Sequence, residues 1–542
     1  VSLPSAGSQA TPADTGSHRS SDLSSPESVP RRPAQPVLFG SEMAVRQSMY
    51  PELVTFQGCE DLLRGSPLTT VLRRQGTIFR TSVGSASTYA LSAKVGRIDA
   101  FISHNWSVAR YLKFLSLADH FSFDIAASCT MALMAIGGLA TAAGVLPYIT
   151  DLSWRYPVGF MCRVLGMPTF VALLLFAREL QGLLGSPGPT VFLDKTCIHQ
   201  DDQVVQRQGI EKLSAFLSNS EIMVALYTDT YLLKLWTVYE VASFLALRPI
   251  KCMKIVPVYQ LFAYHNGLLV GYLAQMSTIV LRSYTTFAWH ELILWNGVFG
   301  LVVMVACRRW AREKESIQTR LANFSVHNCI CTCESDRALV CQNIAILMRA
   351  SGAAPDDASD ETALEHFDQL ARHELPTAFA TCMGRISLSY KHVVVFCLFW
   401  QGTTFLDVDL ASLELGRPLK EVLMAGVGWC FWTTVCLPLA FVGMEYLAAS
   451  FLRWTGFREL VWLTCSFILL VSIPCFLVNK AIWVMCGMAE TANLALVVLL
   501  LSFLFGGAGV YLAFSGQCSL TCPCRRSMGP PSIGEGGSDH SR

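Results

Sequence analysis

The sequence predicts an α/β domain joined to an all-α membrane region. The α/β part is expected to be a doubly wound parallel sheet, interrupted by a transmembrane helical hairpin and followed by a polytopic helical region. Three observations carry this. Apolar residues make up 52% of the chain and charged residues only 15%, far from the balance of soluble proteins. Between Asp124 and Asp151 no charged residue occurs, a gap longer than the roughly 20 apolar residues that span hydrocarbon. On either side of that gap, short β-prone runs alternate with helical patterns, the signature of strands joined by crossover helices.

The opening residues, including SSDLSSPESVPRRPAQP, and the tail from Met528 are too poor in apolar residues to fold. Residues 1–45 and 517–542 are therefore expected to be disordered. No apolar signal core follows Val1, and the true start is expected further upstream.

Residues 97–122 and 187–260 form the two parts of the expected α/β domain. Ile98 to Ser103 (IDAFIS) reads as a first buried strand and Thr190 to Asp194 (TVFLD) as a second, after the turn-rich Gly185 to Pro189. Ile210 to Leu217 reads as a helix, Ile222 to Tyr227 as a third strand, Trp236 to Leu247 as a helix and Cys252 to Tyr259 as a fourth strand. The inserted hairpin occupies 123–182, with spans at 124–151 and 158–176; Arg163 lies near an end, where it can reach polar surroundings.

A second hairpin is expected over 261–307, with candidate spans at 261–281 and 288–307. Residues 308–391 read as a cytoplasmic Cys-containing segment, with an amphipathic helix over 359–375 ending before Pro376. Transmembrane helices resume over 392–516, with candidates at 392–406, 422–444, 460–478 and 492–514, for about eight spans in all. The first of these also reads as a buried or re-entrant helix.

Basic flanks (Arg97, Arg110 and Lys113; Arg308 to Lys314; Arg453 and Arg458; Arg525 and Arg526) fall on one side of an even number of spans. That side is expected to be cytoplasmic, with both termini on it, and the acidic loop from Asp407 to Glu414 opposite. The sequons at Asn105 and Asn323 would then stay unmodified. A net charge of +1 without long single-sign runs speaks against nucleic-acid binding.

The 20 cysteines lie largely in apolar runs and do not read as a disulfide framework. Cys329, Cys331, Cys333, His327 and Cys341 depart from the paired spacing of structural zinc sites, and no metal is expected. Cys518, Cys522 and Cys524 at a membrane exit fit palmitoylation better.

The order DAFISHNW, FLDKTCIHQ and GIEKLSAFLSNSEIMVALYTDTYLLKLWTVYE resembles a Toll/interleukin receptor (TIR) domain, in particular the divergent TIR-like domains of multispanning protist membrane proteins. Trp236 followed by Glu240 matches the Trp-x-x-x-Glu spacing of that family. The resemblance implies that Glu240 is the catalytic carboxylate of NAD cleavage, with NAD as substrate rather than resident cofactor. A fixed carboxylate can hold the ribose hydroxyls and stabilise the oxocarbenium charge that builds as nicotinamide leaves.

Switch-point geometry would gather Ser103, His104, Asp194 and Lys195 around the ligand, with Trp236 beside them. The competing reading places Glu240 on a solvent-facing helix position and makes the domain a self-association module without turnover. His104 and His199 read either as acid–base groups or as hydrogen-bonded structural residues. Residues 196–209 match the TIR loop that mediates domain contacts.

The sequence thus points to a membrane signalling protein whose partners are the lipid bilayer and further copies of itself or other TIR-like domains. A transporter or channel with a regulatory α/β domain, and a non-catalytic membrane scaffold, are the other readings.

Overall fold

The computed structural model describes residues 54–151, 156–284, 289–331, 334–383, 388–469 and 492–514. The expected disordered ends, the Cys518–Cys524 cluster, Cys333 and the later part of the 460–478 candidate lie outside them.

One six-stranded sheet organises the first half of the chain. Its strands are β1 (Arg64–Pro67), β2 (Ala93–Lys94), β3 (Ile98–Ser103), β6 (Thr190–Phe192), β7 (Ser220–Tyr227) and β8 (Met253–Pro257), in the order β2-β1-β6-β3-β7-β8. A separate two-stranded hairpin, β4 (Ile149–Asp151) and β5 (Tyr156–Val158), closes the far end of the inserted helices. From β6 to β8 all pairings are parallel, with Phe101 opposite Phe192 and Ser103 opposite Ala225.

The expectation of a wholly parallel sheet is corrected by β1 and β2. The strand β1 runs antiparallel to both of its neighbours, β2 and β6, and lies against β6 through Ser66–Val191 and Pro67–Thr190. The sheet is mixed because the short β6 edge is covered by an earlier segment rather than left open, which would leave unpaired backbone groups. Gly65 permits the approach, since a Cβ there would collide with Thr190 Cγ2.

Helices cover both faces. On one lie α3 (Gln203–Glu211), α4 (Leu213–Ser218) and α5 (Leu235–Leu247). Within the stretch expected to be a loop, Asp202 caps α3 through hydrogen bonds from Val204 N and Val205 N. The α5 helix stops before Pro249, as a proline requires of the residue that precedes it. Phe101, Phe192 and Phe216 stack between sheet and helices; Phe101 and Phe192 are fully buried with centroids 4.4 Å apart.

The other face is covered by the beginning of α1 (Arg110–Ala142), whose Leu112, Phe114, Leu117 and Ala118 join Ala100, Ile102, Val224 and Leu226 in one core. The same helix then exposes Ile125, Leu133, Ile136 and Leu139. One continuous helix is therefore a sheet crossover at its start and an apolar rod at its end. The chain returns along α2 (Met161–Leu183) and enters β6. Among the described residues three helices are long and apolar enough to cross a membrane: α1, α2 and α11 (Leu419–Ala449). They cover the candidates at 124–151, 158–176 and 422–444.

The other candidate spans have a different character. The helix α6 (Val258–Tyr284) starts directly after β8 and carries His265, Asn266 and Gln275, while α7 (Trp289–Ala322) passes into charged sequence from Arg308. From there α7, α8 (Ser335–Ala350) and α9 (Asp360–Met383) pack onto α5, burying Trp310, Ile317, Leu321, Ile344, Phe367 and Phe379 in the same core as the sheet. The α9 helix continues through Pro376, where the sequence suggested a stop. Phe379 packs on Tyr227 with centroids 4.6 Å apart, and that contact offsets the disrupted turn.

After α10 (Tyr390–Cys397) come two π-helical turns, Leu398–Gly402 and Phe405–Leu410, so Asp407 lies in a helical turn instead of an external loop. The helix α12 (Phe457–Phe467) is held by buried Arg308, which donates to the carbonyls of Ala448, Ser450 and Phe451 and pairs with Glu459 at 3.2 Å. The last described helix is α13 (Ala492–Phe514).

Candidate functional site

The parallel strands β6-β3-β7-β8 follow the chain in the order 2-1-3-4. In such sheets the crevice for a ligand opens between the first and third strands, outside their carboxyl ends. Here that position lies between β3 and β7, and it is where Ser103 ends β3.

Ser103 faces the α5 side, fully buried. Its hydroxyl donates a hydrogen bond to Glu240 Oε2 and contacts the hydroxyl of Tyr231. Serine has a single hydroxyl proton, so with that proton directed at Glu240 the Tyr231 O–H must be the donor to Ser103. Burial raises the Tyr231 pKa well above its ordinary range, which keeps that proton in place. The result is a directed chain, Tyr231 to Ser103 to Glu240.

Local sequence explains the placement. Tyr231 begins a single 3-10 turn, Tyr231–Leu233, between β7 and α5. Its amide donates to Thr228 O at 3.0 Å, and the single hydroxyl proton of Thr237 Oγ1, on the first turn of α5, is shared between the Tyr231 and Lys234 carbonyls. A backbone bond from a distant segment anchors the end of the turn: Leu235 N donates to Ile330 O at 3.1 Å. Cys329 is buried beside this contact, its thiol directed at the Leu232 carbonyl at 3.5 Å.

Glu240 is half-buried. Loss of solvent raises its pKa to about 8; the Ser103 hydrogen bond opposes that shift, and the negative Asp194 adds to it. In the free protein at neutral pH the carboxyl therefore holds its proton most of the time.

The remaining residues expected at the site divide. Asp194 belongs to it electrostatically, acting on both Glu240 and His104 while its Oδ2 accepts from Trp106 Nε1 at 2.8 Å. His104 packs edge-on to Trp106 and Phe79, with centroids 4.6 and 5.5 Å away. Its Nε2 is buried and, among the described residues, without a hydrogen-bond partner, and burial lowers its pKa to about 4, so the ring is neutral.

One expected site residue turns elsewhere. Lys195 Nζ turns to Ile78 O at 3.1 Å and Thr81 O at 2.7 Å, fastening the segment before β2 because those carbonyls offer a buried ammonium its acceptors. Trp236 lies one helical turn before Glu240 on the same side of α5 and packs against the core, its ring 6.2 Å from that of Tyr239. His199 serves its own loop: Nδ1 accepts from Asp202 N at 2.9 Å.

Tyr231 is the site residue that sequence reasoning missed. A tyrosine in the short connection after the third strand was the available signal, since that connection borders the switch point. In the same turn, Leu232 and Leu233 line a cleft of about 310 Å³, within the size range of small-molecule sites.

Comparison with known proteins adds no family to this geometry: no protein-family model matches the chain, and no curated protein or solved structure matches it significantly.

Proposed function

We propose that this chain is a multi-pass membrane protein whose TIR-like domain, on the cytoplasmic side with both termini, signals by self-association in the plane of the membrane and cleaves NAD at Glu240. The observation that supports this reading is the Tyr231–Ser103–Glu240 chain at the β3/β7 switch point.

In the reaction, the bond between ribose C1′ and the nicotinamide nitrogen breaks and its electron pair leaves with nicotinamide. Water adds to C1′ and releases a proton, giving ADP-ribose. The ionised Glu240 carboxylate holds the ribose hydroxyls and offsets the positive charge at C1′. Ser103 is a positioning residue, since it fixes one carboxylate oxygen and leaves the other for substrate. Self-association would concentrate these sites in two dimensions, with the lipid bilayer and further copies of the domain as partners.

The test is nicotinamide release from membranes containing the full chain, compared with Glu240→Ala. Release that depends on Glu240 supports the reading. Equal release from both proteins, or none from either, removes the enzymatic part and leaves a self-association module.

A further inference from the structure

Beneath the sheet, three helices share a buried carboxylate. Asp119 of α1 is 3% exposed; its Oδ2 lies 2.9 Å from His392 Nε2 of α10, and its Oδ1 lies 3.4 Å from His265 Nε2 of α6. His120 neighbours Asp119 along α1, Lys391 neighbours His392 and pairs with Asp124 at 2.7 Å, and Tyr264 donates to the His392 carbonyl at 3.1 Å. Among the described residues the further titratable groups around this carboxylate are Arg178 of α2, which donates to Phe121 O and Ser122 Oγ, Lys254 of β8 beside His120, and Cys397 of α10 beside Tyr264.

The hydrogen-bond inventory at His265 leaves a place for one more proton. Its Nδ1 lies 2.8 Å from the Leu261 carbonyl, which can only accept, so Nδ1 carries the ring hydrogen. In the neutral ring Nε2 is then an acceptor, and it faces Asp119 Oδ1, another acceptor. Both atoms are buried and, among the described residues, without a hydrogen-bond partner. A proton bound between them turns two opposed lone pairs into a charge-assisted hydrogen bond.

A second polar group lies further along α6, where α2 and the turns after α10 meet it. Gln275 Nε2 donates to Thr403 Oγ1 at 3.2 Å, and both line a cavity of about 10 Å³ that reaches Arg163 and could hold about one water molecule. Arg163 in turn pairs with the fully buried Asp407 at 3.1 Å. Between the two groups lie the rings of Phe123, Phe170 and Phe399, at centroid distances of 5.6 and 5.2 Å in succession. Buried ionisable groups among apolar helices are costly and mark ion or proton routes, and apolar constrictions gate such routes by excluding water.

We propose that the bundle of α1, α2, α6 and α10 conducts protons, with Asp119, His265 and His392 as the proton-binding station and the Phe123–Phe170–Phe399 ladder as its gate. A proton binds at His265 Nε2 against Asp119, passes the ladder when water enters it, and leaves through the Gln275–Thr403 cavity. The same number of protons leaves as enters, driven by the transmembrane gradient. The inference rests on the membrane-spanning reading and is independent of NAD cleavage.

The full chain reconstituted into liposomes loaded with a pH-sensitive dye, under a potassium diffusion potential with valinomycin, tests it. Wild-type vesicles should acidify faster than protein-free vesicles, and Phe170→Ala should acidify faster still. Asp119→Asn and His265→Phe, both checked for monodispersity, should fall to the protein-free rate, while Lys94→Ala on exposed β2 stays at the wild-type rate. Alkaline carbonate extraction separates the two ways of failing. Protein that washes off overturns the spanning reading and the path with it. Inserted protein without flux, or with flux unchanged in both station variants, overturns the proton path alone.

Discussion

The Ser103 hydroxyl at the end of β3 donates to the Glu240 carboxylate on α5, joining residues 137 positions apart at the point where the strand order reverses. That contact opposes the burial that raises the Glu240 pKa.

The pH profile of NAD cleavage follows from this. In the proposed reaction the ionised carboxylate is the working form, so kcat/KM should rise with pH and level off above about pH 8, reporting the free-enzyme ionisation. Ser103→Ala removes the interaction that lowers the pKa and should move the profile to higher pH. A profile that is flat across this range, or one that Ser103→Ala leaves in place, contradicts the assignment.

Stability should depend on pH through the same residue. Its folded pKa of about 8 lies above the ordinary 4.5, so its contribution is fully present below about pH 4.5 and is lost as pH rises through about 8. The slope is at most about 1.4 kcal/mol per pH unit. Glu240→Gln should therefore raise Tm relative to wild type at about pH 8 and lose that advantage near pH 4.5. Equal Tm differences at both pH values would mean that Glu240 titrates normally.

Asp407 ties α2 to the π-helical turn after α10. It accepts from Cys162 N at 3.0 Å and Arg163 N at 2.8 Å besides its ion pair. Removing one partner of a buried pair strands the other, a loss on the order of 3 kcal/mol. Asp407→Ala should lower Tm more than the Asp407→Ala, Arg163→Met double replacement, measured by thermal unfolding in detergent.

Arg308 shows why a charge-conserving change can still be costly. Lysine has three donors and no planar fork, so Arg308→Lys should leave carbonyls between Ala448 and Phe451 without a partner. The expected loss is about 2 kcal/mol. An unchanged Tm would show that this segment rearranges freely.

Much of the sheet was legible because β3, β7 and β8 are apolar runs of five to eight residues, buried on both faces. The strand β1 was not: Arg64–Pro67 has no apolar pattern, and it is a strand because Ser66 Oγ bonds to Thr196 Oγ1 at 2.7 Å and its backbone covers the β6 edge. At the site, Ser103 and Asp194 could be placed from strand ends, and Glu240 from the resemblance to the TIR family. Tyr231, and the departure of Lys195, could not, because each depends on where a side chain finds its hydrogen-bond partner in three dimensions.

The strands β3 and β6 pair in parallel although α1 and α2, both long and apolar enough to cross a membrane, lie between them, and in the proposed topology those two helices are membrane spans. Epitope tags inserted singly between Gly144 and Val145, and between Ser186 and Pro187, test this in intact and permeabilised cells. The account predicts that the two tags lie on opposite sides of the membrane, the second on the same side as Arg97. Two tags on one side would contradict it.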